Sequence, residues 1–331
     1  MRWLVTGGCG FIGRNFIRLL LARTNDTIRV VDDLTVGSRA ELEQIGPVAA
    51  LDAATLAAAA PGNAGCRIEL VAGDVRDAAL ARRVVAGADA VIHLAANTGV
   101  GPSVADPALD CTINVLGTLN YLEACRHAGV GRFVFASSGA PIGECEPPIH
   151  EELPTHPVSP YGASKLAGEA YCSAYKRSFG IDTVALRFGN CYGPLSSHKS
   201  SIVAKFIREA LAGQPWEIYG DGSQTRDFIF VEDIAEAIFR SATTPGIGGE
   251  IFQIATNAET TVRELAETLR AVLERNGVAT HGIRHAAPRV GDVKRNYSDT
   301  SKARRRLGWN ARVSVEDGLD RTVKWFLQSR G

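Results

Sequence analysis

Eight residues near the start of the chain, Thr6-Gly7-Gly8-Cys9-Gly10-Phe11-Ile12-Gly13, constrain the fold more than any other stretch. They follow an apolar run, Trp3-Leu4-Val5, and open a segment of helical spacing from Phe11 to about Ala22. A strand that turns through glycines straight into a helix begins a βα unit. Gly7 allows the tight turn, Gly10 lets backbone approach a pyrophosphate, and Gly13 permits close helix–sheet packing. The unpaired N–H groups and positive dipole end of that helix then suit an anion. Glycine triplets alone also describe ordinary turns. The weight here lies in the context: a strand before, an apolar helix after, and a second strand ending in Asp32-Asp33.

That second strand, Thr27 to Val31, opens a series of short apolar runs: Ile68 to Val71, Ala90 to Leu94, Arg132 to Ala136 and Thr183 to Arg187. Helical stretches separate most of them. The alternation predicts an α/β fold, a Rossmann-type doubly wound parallel sheet covered on both faces. The Ala-rich segment Pro47 to Gly65 matches neither pattern and reads as a surface insertion after the second strand. After about residue 187 the rhythm gives way to Gly, Pro and polar residues. Phe228 to Arg240 reads as a strand and helix returning to the main sheet. The expected division is a dinucleotide-binding domain from 1–186 and 228–254, with a smaller, discontinuous C-terminal α/β substrate domain from 187–227 and 255–331.

Asp32 stands about 20 residues beyond the glycines, where a carboxylate accepts ribose hydroxyls and repels a 2′-phosphate. This predicts NAD rather than NADP. Asp74, in a Gly-Asp turn after the third strand, is a weaker candidate for the adenine amino group. Lys plus Arg equal Asp plus Glu at 36 each, which argues against a nucleic-acid or membrane-surface binder. Seven scattered cysteines without a CxxC pair read as free thiols of a cytoplasmic protein. No signal peptide, no apolar run of membrane-spanning length and no HExxH metal motif is seen.

A second motif carries chemistry. Tyr161-Gly-Ala-Ser-Lys165 lies on a predicted helix with Ser159 as cap and Pro160 as first residue. Four residues place Tyr161 and Lys165 on one face, a turn apart. A free tyrosine has a pKa of about 10 and is a poor base at neutral pH. A nearby ammonium, together with an oxidised nicotinamide, would lower it, and the phenolate could take a proton from a hydroxyl whose carbon loses hydride. Ser138, at the end of the Phe133 to Ala136 strand, could polarise the same oxygen. The bare YxxxK spacing equally fits an ordinary helix with a solvated lysine; its place after a dinucleotide half favours catalysis.

Together these motifs resemble the extended short-chain dehydrogenase/reductases, and within them the NAD-dependent nucleotide-sugar epimerases and dehydratases. The resemblance spans TGGCGFIG (6–13), VVDDL (30–34), GDVRD (73–77), HLAA (93–96), NVLGT (114–118) and FASS (135–138). It continues through SPYGASK (159–165), RFGNCYGP (187–194), GDGSQTRDFIFVEDIA (220–235) and RVGD (289–292). It implies a cofactor site of Gly7, Gly10, Phe11, Ile12, Gly13, Asp32, Asp33, Asp74, Val75, Leu94, Ala95, Ala96 and Thr98, with Tyr161 and Lys165 at the nicotinamide end. It also implies a UDP-sugar site. Asn190, Arg226 and Arg289 would hold the pyrophosphate, Ser201, Ile202 and Tyr219 the base, and Asp292 a ribose hydroxyl. Ser103, Ser138 and Asn296 would contact the sugar. Helices near Pro107 to Ala128 and Pro160 to Phe179 would form a homodimer interface.

Subclass turns on the residues after Ser138. The resemblance implies an acidic pair there in 4,6-dehydratases, but no acid occurs before Glu144. This favours a 4-epimerase of the UDP-glucose/UDP-galactose type, an isomerase that oxidises the sugar transiently. Pro141-Ile142 departs from the usual Val-Tyr of epimerases, and Gly189 replaces an aromatic. Asn296 falls at a size gate for N-acetyl sugars, and His198 and Lys199 could meet a uronate. UDP-N-acetylglucosamine and UDP-glucuronate therefore stay open as substrates. Dehydratase, keto-sugar reductase and non-catalytic relatives are the further alternatives.

Overall fold

The computed structural model describes residues 1–54, 56, 62, 65–287 and 293–329. The expected strands form as β1 (Arg2–Thr6), β2 (Thr27–Asp32), β4 (Ile68–Ala72), β5 (Ala90–His93), β6 (Arg132–Ser138) and β7 (Asp182–Phe188). Two more strands, β3 (Val48–Leu51) and β12 (Glu250–Ile254), complete an eight-stranded sheet in the order β12-β7-β6-β5-β1-β2-β4-β3. Every neighbouring pair in it is parallel. The order reverses between β1 and β5, and open α/β sheets bind ligands beyond the carboxyl ends of strands at such a point.

Helices cover both faces. α1 (Phe11–Arg23) packs on one side, and Trp3, Phe16, Ile28 and Ile238 belong to its core. α2 (Arg39–Glu43) follows β2, and α3 (Ala78–Val85) lies on the opposite side, where Leu80, Tyr121, Phe133 and Tyr175 are buried. The stretch from Pro107 is helical to Ala128 but not uniform. α4 (Val100–Ala105) precedes α5 (Pro107–Cys111), a five-residue π-helical turn spans Thr112–Leu116, and α6 (Gly117–Ala128) completes it. α7 (Pro160–Phe179) is capped as expected, the Ser159 hydroxyl accepting from Gly162 N, and ends at left-handed Gly180.

Two expectations need correction. The Pro47 to Gly65 segment is not wholly an insertion outside the sheet, because Val48–Leu51 pairs with Ile68–Val71 as its edge strand. Alanines at its centre have weak strand preference and concealed it. Residues 55, 57–61 and 63–64 of that segment lie outside the described residues. Second, Phe228–Phe230, here β11, does not return to the main sheet. It pairs in parallel with β8 (Asn190–Tyr192), a partner of only three residues that sequence periodicity cannot reveal. The following helix, α9 (Val231–Thr243), does return, joining the core beside α1, and β12 then pairs with β7.

Beyond β7 a third core gathers Phe206, Trp216, Phe230, Leu265, Leu269 and Leu319. It carries α8 (Ile202–Leu211), β9 (Trp216–Tyr219) and β10 (Thr225–Arg226). All seven cysteines are unpaired. Among the described residues no helix is long and apolar enough to cross a membrane.

Candidate active site

The glycine turn, the Tyr–Lys helix and the third core face one cavity of about 1610 Å³. At its glycine end only glycine fits. Gly7 has φ +67°, and a Cβ there would lie 2.7 Å from Ala95 N; on Gly13 it would lie 2.5 Å from Gly7 O. Gly10 caps α1 with no side-chain bond, and no acid occupies the first turn, so the helix offers its N–H groups to an anion. Phe11, Ile12, Asp33, Val75, Leu94, Ala95, Ala96 and Thr98 share the wall.

Asp32 ends β2 with its carboxylate fixed from both sides, accepting from Cys9 N and Leu34 N at 2.9 Å each. Burial pushes its carboxyl upward, and the two amide bonds oppose that. Asp74 was expected at the adenine amino group. Its carboxylate lines the cavity and is gripped by the Arg76 guanidinium, which holds it below the usual range. A glycine cradle at a helix N-terminus, followed by a fixed carboxylate at the next strand end, fits a dinucleotide with a free 2′-hydroxyl.

At the other end stand Ser138 and Tyr161, both in the cavity wall. Lys165 is buried and donates to the Ala136 carbonyl at 2.9 Å, its ammonium 5.8 Å from the centre of the Tyr161 ring. The protein alone does not lower the tyrosine pKa. Burial pushes the phenol up, and a hydrogen bond with Ser138 opposes this only in part. Burial also brings Lys165 down to about 8, against the pull of Asp110 and Glu169.

Two buried supports were not anticipated. Glu169, a turn beyond Lys165 on α7, accepts both guanidinium contacts of Arg187, at 2.8 and 2.7 Å, and the Ser137 hydroxyl at 2.6 Å. It thereby ties the ends of β6 and β7 to the helix that carries Tyr161 and Lys165. Asn114, in the π-helical turn, accepts from Asn97 N and donates to Asn97 O, to Asp110 and to Ser164. Ser164 in turn donates to the Tyr161 carbonyl. The i+4 spacing of Lys165 and Glu169 and the NVLGT motif were the available signals.

Asn190, Ser201, Ile202, Tyr219, Arg226 and Asn296 line the same cavity. Ser201 caps α8 but makes no cap bond, and its buried hydroxyl has no hydrogen-bond partner among the described residues. Arg226 is braced on the Thr225 and Val293 carbonyls. Asn296 faces the loop after Ser138, its Nδ2 lying 4.0 Å from where a Gly139 Cβ would be. Ser103 is not where it was expected. It is fully buried and donates to the Val100 carbonyl, because α4 turns Val100 and Val104, not Ser103, outward. Arg289 and Asp292 lie outside the described residues.

The departures seen in the sequence have a clear placement. Pro141 and Ile142 are buried, so the cavity wall after Ser138 is made by Gly139, Ala140 and Gly143. Glu144 is exposed and is not part of it. Among the described residues the acids of the wall are Asp32, Asp33 and Asp74 at the cofactor end and Glu217 on β9. Gly189 is also in the wall, where a Cβ would come within 3.1 Å of the Asp227 carbonyl. His198 lies 3.4 Å from Glu41, and Lys199 donates to the Cys191 carbonyl.

A doubly wound sheet with this cradle and an adjoining Tyr–Lys pair defines a dinucleotide-dependent enzyme. Residues 3–255 match the NAD dependent epimerase/dehydratase family. A UDP-glucose 4-epimerase from Mycolicibacterium smegmatis is 37% identical, the alignment covering 98% of each chain. A UDP-N-acetylglucosamine 4-epimerase from Methanobrevibacter ruminantium, solved with UDP-N-acetylmuramic acid, superposes with a TM-score of 0.87 at 30% identity, covering 99% of this chain and 98% of the other. A dTDP-glucose 4,6-dehydratase from Streptomyces venezuelae, solved with NAD, gives 0.86 at 35% identity, covering 100% and 98%. The chain belongs to the NAD-dependent epimerase/dehydratase family of extended short-chain dehydrogenase/reductases, and NAD is its cofactor.

Proposed function

We propose that the chain is a UDP-sugar 4-epimerase of the UDP-glucose/UDP-galactose type. The observation that carries this reading is the wall beside Ser138 and Tyr161, which has no carboxylate among the described residues and is built from Gly139, Ala140 and Gly143. Eliminating water from a sugar needs an acid to protonate the leaving hydroxyl. Inverting one carbon needs none, but it needs room for the sugar to present its other face.

NAD⁺, held by the glycine turn and Asp32, would supply a positive charge and both the acceptor and the later donor of the hydride. The Tyr161 oxygen takes the proton of the sugar 4-hydroxyl, and Ser138 polarises that oxygen. The buried Lys165 ammonium stabilises the charged phenolate. After the 4-keto sugar turns, Tyr161 returns the proton and the epimer forms. Arg226 and Asn190 hold the pyrophosphate while Ser201, Ile202 and Tyr219 hold the base, so only the sugar moves. Arg289 and Asp292 belong to the same nucleotide site in this reading.

Asn296, opposite Gly139, is smaller than a bulky aromatic, which supports UDP-N-acetylglucosamine as a second substrate. Asn296→Tyr should then reduce kcat/KM on N-acetylated sugars more than on UDP-glucose; an unchanged ratio removes Asn296 as the gate. A uronate gains less support, since His198 lies 3.4 Å from Glu41. Following UDP-glucose, UDP-N-acetylglucosamine and UDP-glucuronate by NMR tests the assignment. The expected product is the 4-epimer, and a 4-keto-6-deoxy sugar would refute it.

We further propose a cytoplasmic homodimer, on the unpaired cysteines and on an apolar surface of Val104, Leu109, Leu116, Tyr171 and Phe179 on α4 to α7. Leu116→Glu should give a monomer in sedimentation; an undisturbed dimer would place the interface elsewhere.

A further inference from the structure

The substrate-side segment after β8 carries a cation that the catalytic account does not use. Lys199 is half-buried, lines the shared cavity and donates to the Cys191 carbonyl at 2.6 Å. Its ammonium lies 4.7 Å from the centre of the Phe11 ring. Phe11 is the first residue of α1, the helix whose N-terminus opens onto the glycine turn. Among the described residues no carboxylate pairs with Lys199. A cation is thus held beside the positive end of a helix without a counter-charge, an arrangement that favours an anion between them.

The backbone around Lys199 is fastened to the cofactor half. Arg14 donates to the Leu195 carbonyl at 2.9 Å and Asn15 to the Pro194 carbonyl at 3.1 Å, both from the second turn of α1. Arg14 also pairs with Glu41, the acid that His198 approaches. The position of Lys199 relative to the α1 N-terminus is therefore set by α1 and α2. Burial pushes its pKa down, as for an ammonium lacking an acidic partner.

We propose that Lys199 is a cofactor-positioning residue whose ammonium, through the N–H groups not given to Cys191, binds the NAD diphosphate at the α1 N-terminus. The dinucleotide is then gripped from both sides, by the glycine turn and by a segment from the sugar side. Such a grip keeps NAD on the enzyme between turnovers, which a reaction without net redox change requires. The inference rests on the cofactor and holds whichever sugar is the substrate.

The test compares Lys199→Met, which keeps the stem over Phe11, with Lys199→Arg. NAD affinity is measured by calorimetry on protein stripped of cofactor, UDP affinity is measured on the NAD-loaded protein, and turnover is compared on UDP-glucose and UDP-glucuronate. A charge-assisted hydrogen bond predicts NAD binding weaker by roughly ten- to a hundredfold in the Met variant, with UDP affinity unchanged. The Arg variant should stay near wild type, and a matching urea midpoint without NAD would show that the Met variant is folded. Unchanged NAD affinity in a folded Met variant overturns the proposal. So does a loss confined to UDP, which assigns the lysine to the substrate diphosphate, or a loss confined to UDP-glucuronate turnover, which assigns it to a sugar carboxylate.

Discussion

Tyr161→Phe should lower kcat on the UDP-sugar by about 10²–10⁴-fold while leaving NAD and UDP affinities within a factor of about two. The phenol is the titratable group in the cavity wall beside Ser138, and the nearby ammonium of Lys165 is buried and committed to the Ala136 carbonyl. Removing one oxygen leaves the ring in place and the helix cap at Ser159 untouched. A structural role for Tyr161 would instead show as weakened cofactor binding with kcat preserved. Retained turnover in a variant that binds both ligands normally would refute the proton-transfer role. Because burial raises the Tyr161 pKa in the protein alone, the phenolate should accumulate only with the oxidised cofactor bound. Ultraviolet titration of the phenolate band with and without NAD⁺ would check the sign.

The second large effect concerns stability. Glu169 and Arg187 are each only 2% exposed and are joined by two short contacts. Glu169→Gln leaves the guanidinium buried without its counter-charge, and breaking one side of such a pair costs about 3–5 kcal/mol. The urea midpoint should fall accordingly. The Ser137 hydroxyl also loses its charged acceptor, so the Ser138 strand end should loosen and kcat fall with it. Replacing both partners, as Glu169→Leu with Arg187→Met, should recover most of the stability, since the cost lies in the unpaired charge rather than in the lost pair. A single variant as stable as wild type would mean that water reaches the guanidinium.

What the sequence made legible follows from which signals are local. The Gly7, Gly10 and Gly13 turn, the Asp32 strand end and the Ser159-Pro160 cap are each specified within a few residues, and each forms as the residues imply. The edge strand Val48–Leu51 was hidden because its stability comes from the neighbouring backbone of β4 rather than from its own alanines. The sheet that Phe228–Phe230 joins is not legible, because its partner, Asn190–Tyr192, is too short for any periodicity. Ser103 was misplaced because which face of the short α4 turns inward depends on tertiary packing. The Glu169–Arg187 pair joins residues 18 apart in sequence whose partnership only the docking of α7 on β7 creates.

The loop after Ser138 is the opposite case. Its lack of an acid is visible in the sequence, while the burial of Pro141 and Ile142 is not. That burial leaves small residues lining the cavity beside Ser138. The central claim is that hydride leaves the sugar 4-carbon and returns to the same carbon. UDP-glucose deuterated at C4, incubated with the enzyme and followed by NMR, tests it directly. The expected product is UDP-galactose with deuterium kept at C4, with no net change in NADH absorbance. Deuterium at C6 of a deoxy sugar, or its loss to free reduced cofactor, would contradict it.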